Sequence, residues 1–303
     1  MTGKPAIAVI GAGLMGAGIA LVFAAAGHRV ALFDAIAEAR ATALQRIRNN
    51  LAAVGLDPEA ATAVTLHAQL APAVADADFV IEAAPEDLAL KQGLFAEVEA
   101  AAKPTAILAS NTSVIPITSI LDRLRNKARA LGTHWWNPPY LVPLVEVIRT
   151  ADTSGATVAT MLALLASVGK APVEVKKDVA GFVGNRLQHA LWREAIALVE
   201  HGICDAETVD NVIKAAFGRR LAVLGPLENA DMVGTDLTLA IHNTVLGDID
   251  SRPAPSPYLE KLVTDGKLGF KSGEGFRKWS PQQQTALRLK VLRHLKAARA
   301  NDS

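Results

Sequence analysis

The feature that most constrains this chain lies in its first 34 residues. Ala6–Ile10 is a short apolar run rich in β-branched residues, as expected for a strand covered on both faces. Gly11-Ala12-Gly13-Leu14-Met15-Gly16 follows directly. Ala17–Ala26 then reads as a helix closed by Gly27, and Arg29–Phe33 as a second strand that ends on Asp34. A G-x-G-x-x-G pattern is weak alone. It becomes specific when it follows a strand, opens a helix and precedes an acidic residue at the end of the next strand. Such glycines let the backbone approach a pyrophosphate, which free N–H groups at the helix N-terminus then stabilise. Gly11, Gly13, Leu14, Met15 and Gly16 are therefore the expected dinucleotide turn. A carboxylate at Asp34 accepts hydrogen bonds from ribose hydroxyls and repels a 2′-phosphate, and Ala35, Ile36 and Ala37 supply no arginine. The expected cofactor is NAD.

The alternation of strand and helix continues. Ala37 to about Val54 reads as a helix, with a break at Asp57-Pro58. Strands are expected at Asp78–Ala83, Ala106–Ala109, Ala130–Trp135, Leu144–Ile148 and Ala171–Val175, with helices at Leu88–Ala102, Ile117–Leu124 and Thr157–Ser167. Repeated βα units imply an α/β fold with a doubly wound sheet. From about Asp178 the pattern carries helical periods and turn signals but no buried strand. Helices are expected at Gln188–His201, Ala206–Ala216, Met232–Leu246 and Gln282–Ala298. The reading is an N-terminal dinucleotide-binding domain over residues 1–178 and an all-α domain over 179–303.

Composition narrows the class. With 31 Lys and Arg against 30 Asp and Glu, the net charge of +1 points to neither nucleic acid nor a membrane surface. The basic stretch Arg288–Arg299 reads as a solvated helix face. The single cysteine, Cys204, rules out an intrachain disulfide and reads as a buried small residue. The apolar run at residues 5–10 is too short for a signal-peptide core or a membrane span. A cytoplasmic enzyme without a metal is the expectation.

Polar residues at the C-terminal ends of strands mark where open α/β sheets place ligands. They fall in Ser110-Asn111-Thr112-Ser113, in Gly132-Thr133-His134-Trp135-Trp136-Asn137-Pro138-Pro139, around Glu146, and in Gly181-Phe182-Val183-Gly184-Asn185-Arg186. Alcohol oxidation needs a base for the hydroxyl proton, and imidazole, which titrates near neutral pH, suits it. A carboxylate on the far ring nitrogen fixes the tautomer. His134 and Glu146 can fill these roles if their strands are neighbours. Ser113 and Asn185 can hold the oxygen as it becomes a carbonyl. Each residue also has a bland reading: a satisfied core histidine, a solvent-facing Glu146, and helix-capping Ser110, Ser113, Asn185 or Arg186.

Read together, these segments resemble the 3-hydroxyacyl-CoA dehydrogenase family, from Ala8-Val9-Ile10-Gly11 to Gly269-Phe270-Lys271-Ser272-Gly273-Glu274-Gly275-Phe276. The resemblance implies a Rossmann-type NAD domain, a helical domain that forms a homodimer, and an active site in the cleft between domains. It places the catalytic histidine at His134 and its partner at Glu146. Substrate-oxygen contacts fall at Ser113 and Asn185. Cofactor contacts fall at Ala83, Glu86, Lys91, Asn111, Ser113, Asn137 and Lys271. The implied reaction is NAD-dependent oxidation of an (S)-3-hydroxy acid, or its CoA thioester, to the 3-oxo compound.

The departures concern the substrate. The fatty-acid enzymes carry Phe-Phe-Asn-Pro and then a lysine before Leu-Val-Glu-Val. This chain has Trp135-Trp136-Asn137-Pro138 and places Pro143 at that lysine. Their lysine-rich helix pair after the acidic residue is replaced by a compact segment with Arg46 and Arg48. The run Phe217–Pro226 looks like the lambda-crystallin, gulonate and carnitine dehydrogenase branch, whose members take small free hydroxy acids. There Arg219 and Arg220 suit a bidentate grip on a carboxylate, or form a solvated pair.

Overall fold

A computed structural model describes residues 3–301. The expected opening unit is present as β1 (Ile7–Ile10), α1 (Leu14–Ala25) and β2 (Val30–Phe33). α2 (Ala37–Ala53), β3 (Val64–His67), the short α3 (Leu70–Val74), β4 (Phe79–Glu82) and α4 (Leu88–Ala101) come next. Then follow β5 (Ile107–Ser110), α5 (Ile117–Ile120), β6 (Ala130–Trp135), β7 (Leu144–Ile148), α6 (Gly155–Ser167) and β8 (Ala171–Val175). The strands form one sheet in the order β3-β2-β1-β4-β5-β6-β7-β8. Pairing is parallel from β3 through to β6, antiparallel between β6 and β7, and parallel again between β7 and β8. The winding direction reverses between β1 and β4, the position at which doubly wound sheets bind ligands at their strand ends.

β1 shows why a short apolar run suffices. Ile7 and Val9 enter the core shared with α1, α2 and α6, whereas Ala8 and Ile10 enter the core shared with α3, α4 and α5. A period of two sends successive side chains to opposite faces, so a strand covered on both sides must be apolar throughout.

The structure differs from the sequence expectation at two places in the sheet domain. The stretch after Asp57 is more than a break: it holds a 3₁₀ turn at Pro58–Ala63, then β3 and α3. β3 reads Val-Thr-Leu-His, an edge strand with only its first residue buried, so no long apolar run announces it. The helix expected to reach Leu124 ends at Ile120 and tightens into a 3₁₀ turn at Leu121–Arg123.

The chain divides into two compact units. One runs to Arg186 and takes the chain back from Leu292; the other is Leu187–Val291. The first turn of α7 (Gly184–Glu200) belongs to the first unit. Its backbone is tied there by Glu146, as described below. The second unit contains α8 (Ala206–Ala215), α9 (Pro226–Val233), α10 (Thr235–Val245) and α11 (Pro257–Thr264), and α12 (Pro281–Asn301) leaves it. The single helix expected over Met232–Leu246 is split, because Gly234 sits at φ 101° between α9 and α10. α11 was not expected. Cys204, expected to be buried, is half-exposed in the turn just before the N-cap Asp205 of α8. Among the described residues no helix is long and apolar enough to cross a membrane.

Candidate active site

The glycine turn is built for two different purposes. Gly11 has φ 100°, and a Cβ on it would lie 2.6 Å from the Ala83 carbonyl oxygen. A Cβ on Gly16 would lie 1.7 Å from the Gly11 carbonyl oxygen, so α1 can pack this closely on β1 only with glycine there. Gly13 is different. Its φ is −67°, it is exposed, and a Cβ on it would meet nothing within 4 Å. The fold itself makes no demand for glycine at 13, so the bare backbone there is accounted for by a ligand that approaches it. The residues fit a dinucleotide pyrophosphate at the N-terminus of α1, with exposed Leu14 and half-buried Met15 on the first turn. Gly13→Ala is therefore expected to raise the Kd for NADH by roughly tenfold or more, as one lost charge-assisted contact does. The melting temperature should move little, and a large fall in Tm would contradict this division of labour.

Asp34 completes the turn. Its Oδ2 accepts from Ala12 N–H at 2.7 Å and its Oδ1 from Ile36 N–H at 2.8 Å, which fixes the carboxylate beside the glycines. Each oxygen keeps a lone pair for a ribose hydroxyl.

The second half of the site lies at the ends of β6 and β7. A short proline-rich connection turns β6 back into β7, and the resulting antiparallel register sets His134 directly opposite Glu146. The condition left open by the sequence is thereby met. His134 Nδ1 lies 2.7 Å from Glu146 Oε2, with the residues 4% and 1% exposed. Glu146 Oε1 accepts from Val183 N–H at 2.9 Å and Gly184 N–H at 3.0 Å. Burial acts to raise the Glu146 pKa, but the hydrogen bonds from His134, Gly184 and Val183 outweigh it and hold the carboxyl below its usual range. An ionised carboxylate only accepts, so Nδ1 carries the proton and Nε2 is the basic nitrogen. The rings of Trp136 and Phe182 flank the imidazole at 5.2 and 5.6 Å between centroids.

The Glu146 clamp has an unusual backbone. Gly181 and Phe182 both have positive φ, 73° and 50°. A bulky residue rarely adopts that conformation. Here it is compensated by complete burial of the Phe182 ring and by the two N–H groups that it turns toward Glu146. Gly184 lies flat on Trp136, since a Cβ there would fall 2.4 Å from the indole.

A third cluster joins the ends of β4 and β5. Glu82 Oε1 accepts from Ala84 N–H and from the Lys91 ammonium at 2.7 Å, and its Oε2 accepts from the Ser110 hydroxyl at 2.6 Å. Lys91 also reaches the Ala84 carbonyl at 3.1 Å and Glu86 at 3.3 Å. Glu86 Oε1 accepts from the Thr112 hydroxyl and from the N–H groups of Ser113 and Val114. Burial acts to raise the Glu86 pKa, but those bonds and the Lys91 charge win, so it stays ionised. Asn185 donates to the Ser113 carbonyl at 2.9 Å. Glu82, absent from the sequence reading, is the anchor of this network.

The expected site residues divide accordingly. His134, Glu146, Ser113 and Asn185 are brought together through Glu146 and the 182–185 backbone. Ser113 and Asn137 are exposed at the strand ends, and Ala83 lies against Gly11. Lys91 is 1% exposed, and its ammonium is held by Glu82, the Ala84 carbonyl and Glu86. Asn111 spends its side-chain oxygen on Trp135 N–H. Ser110 caps no helix, and Glu146 faces the interior. Arg219 and Arg220 are exposed in the second unit, at and just after the 3₁₀ turn Phe217–Arg219. Lys271 is exposed in the same unit, on the wall of a cavity of about 600 Å³ lined by Trp192, Ile196, Leu262 and Phe276.

Residues 6–179 match the family model for the 3-hydroxyacyl-CoA dehydrogenase NAD-binding domain, and residues 181–279 match the model for its C-terminal domain. The chain belongs to the 3-hydroxyacyl-CoA dehydrogenase family. It is an NAD-dependent dehydrogenase acting on hydroxyl groups. It is 37% identical over 302 residues to the 5-formyl-3-hydroxy-2-methylpyridine 4-carboxylate 5-dehydrogenase of Mesorhizobium japonicum, covering 97% of this chain and 96% of that one. A crystal structure of such an enzyme, described as an NAD+-dependent dismutase, superposes with a TM-score of 0.91 at 37% identity over 98% of both chains. The (S)-3-hydroxybutyryl-CoA dehydrogenase of Ralstonia eutropha superposes with a TM-score of 0.76 at 31% identity, over 91% of this chain and 99% of that one.

Proposed function

We propose that the substrate of this family member is a small free carboxylic acid bearing the hydroxyl to be oxidised, with His134 as general base. The observation that carries the chemistry is the buried His134–Glu146 pair, whose Nε2 is the basic nitrogen. NAD, when bound, supplies the hydride acceptor. Nε2 takes the hydroxyl proton, and Glu146 stabilises the imidazolium as it forms. Ser113 and Asn185 hold the oxygen, and the Glu82–Lys91–Glu86 network keeps the Ser113 turn in place. In this reading Asn137 sits beside the nicotinamide, Glu86 and Lys91 are further cofactor contacts, and Lys271 is a late one.

Two features support a free acid over a CoA thioester. Pro143 replaces the lysine of the fatty-acid enzymes. The pyridine-carboxylate dehydrogenase resembles this chain over its full length more closely than the hydroxybutyryl-CoA enzyme does. In this reading Arg219 and Arg220 bind the substrate carboxylate. We place the enzyme in the cytoplasm, as a helical domain from about residue 179 joined to the NAD domain, and as a homodimer through that domain. Exposed apolar side chains such as Val223 (85%) and Leu227 (79%) support the dimer.

A substrate panel tests the assignment. Acetoacetyl-CoA with NADH is set against free hydroxy and formyl carboxylates, aliphatic and aromatic, with NAD. Turnover confined to the free acids is the expected result. Efficient turnover of the CoA ester alone would leave (S)-3-hydroxyacyl-CoA oxidation as the function.

A further inference from the structure

The three residues after Asp34 carry no arginine, yet the fold brings two guanidinium groups back to this point. Arg40 lies in the first turn of α2, six residues beyond Asp34, and its Nη1 donates to the Asp34 backbone carbonyl at 2.6 Å. Arg46, on the same helix, donates from Nη1 to the Ala12 carbonyl at 3.0 Å and from Nη2 to the Thr42 hydroxyl at 3.2 Å. Ala12 is the residue whose N–H holds the Asp34 carboxylate. Both arginines are therefore anchored on the two peptide units that define the ribose-binding corner, and both are half-buried. Among the described residues no carboxylate lies within 4 Å of either guanidinium.

This arrangement exceeds what an unphosphorylated ribose requires. Asp34 alone can take the ribose hydroxyls. A guanidinium presents five donors, and the bonds above use one from Arg40 and two from Arg46. The remaining donors form a planar, permanently charged fork of the kind that suits phosphate. We propose that Arg40 and Arg46 constitute a latent phosphate-monoester subsite beside the adenosine ribose, which the Asp34 carboxylate keeps closed to the 2′-phosphorylated dinucleotide.

Binding titrations followed by intrinsic tryptophan fluorescence test this without any substrate, so the outcome is independent of the free-acid proposal. The probes are NADH and NADPH, with 5′-AMP and 2′,5′-ADP as fragments lacking nicotinamide. Asp34→Asn removes the charge and keeps the shape, and Asp34→Ser serves if the asparagine variant misfolds. Either is expected to shift the NADPH-to-NADH affinity ratio toward NADPH by roughly tenfold to hundredfold, the worth of one or two charged hydrogen bonds. Adding Arg40→Gln and Arg46→Gln in that background should abolish the gain for NADPH and 2′,5′-ADP while changing NADH and 5′-AMP far less. A ratio unmoved by both Asp34 variants overturns the proposal. So does a gain that survives loss of both arginines, which would reduce them to caps on two backbone carbonyls.

Discussion

Replacing His134 with glutamine is expected to lower kcat for hydroxyl oxidation by about 10²- to 10⁴-fold, the usual worth of a positioned general base. Glutamine fills much of the imidazole volume and can donate to Glu146, but it has no basic nitrogen at the position of Nε2. Glu146 keeps its bonds from Val183 and Gly184, so the 182–185 backbone that carries Asn185 stays anchored. The folding cost is expected at about 1–3 kcal/mol, for one perturbed buried hydrogen bond. NADH affinity, measured by fluorescence, should change by less than about threefold, because β4 and β5 separate β6 from the glycine turn after β1. Single-turnover kinetics place the loss in the chemical step. Undiminished turnover of an identified substrate would remove His134 from the mechanism.

Different parts of the molecule were legible in the sequence to different degrees, for physical reasons. The strand–turn–helix–strand opening could be read because its constraints are local: Gly11 needs a positive φ, and Gly16 needs the absence of a Cβ against the preceding turn. β3 escaped notice because an exposed four-residue edge strand leaves almost no hydrophobic signal. The partnership of His134 with Glu146 was conditional on strand order, which twelve residues of separation do not settle; the antiparallel register of β6 and β7 does.

Other features of the site depend on meetings that no local pattern records. The clamp on Glu146 requires a left-handed Phe182, and nothing about a phenylalanine after glycine marks that conformation. Glu82, Ser110 and Lys91 come from two strand ends and a helix, and only their burial together shows that one carboxylate anchors both loops. Arg40 carries no local signal because it lies six residues beyond Asp34, and only the first turn of a helix carries the chain back toward the strand end.

Glu146→Gln is the second large effect expected, a loss of about 10²- to 10⁴-fold in kcat, comparable to replacing the orienting carboxylate in other histidine-centred relays. The substitution is nearly isosteric, so the geometry of β6 and β7 should survive. What changes is that the amide no longer stabilises a developing imidazolium, and its nitrogen can donate where the carboxylate only accepts. Where the amide nitrogen faces Nδ1, the ring proton is driven to Nε2 and the base is lost. The acid side of the stability curve gives an independent readout. The folded-state pKa of Glu146 lies below its ordinary value of 4.5. Its contribution to stability is therefore complete above about that pH and is lost as pH falls through the lower folded value. Glu146→Gln should remove this part of the acid dependence, flattening the fall in unfolding free energy of the wild type below pH 4.5. An unchanged kcat would show that the carboxylate only supports the fold. An unchanged acid slope would show that Glu146 is not held ionised by His134, Val183 and Gly184.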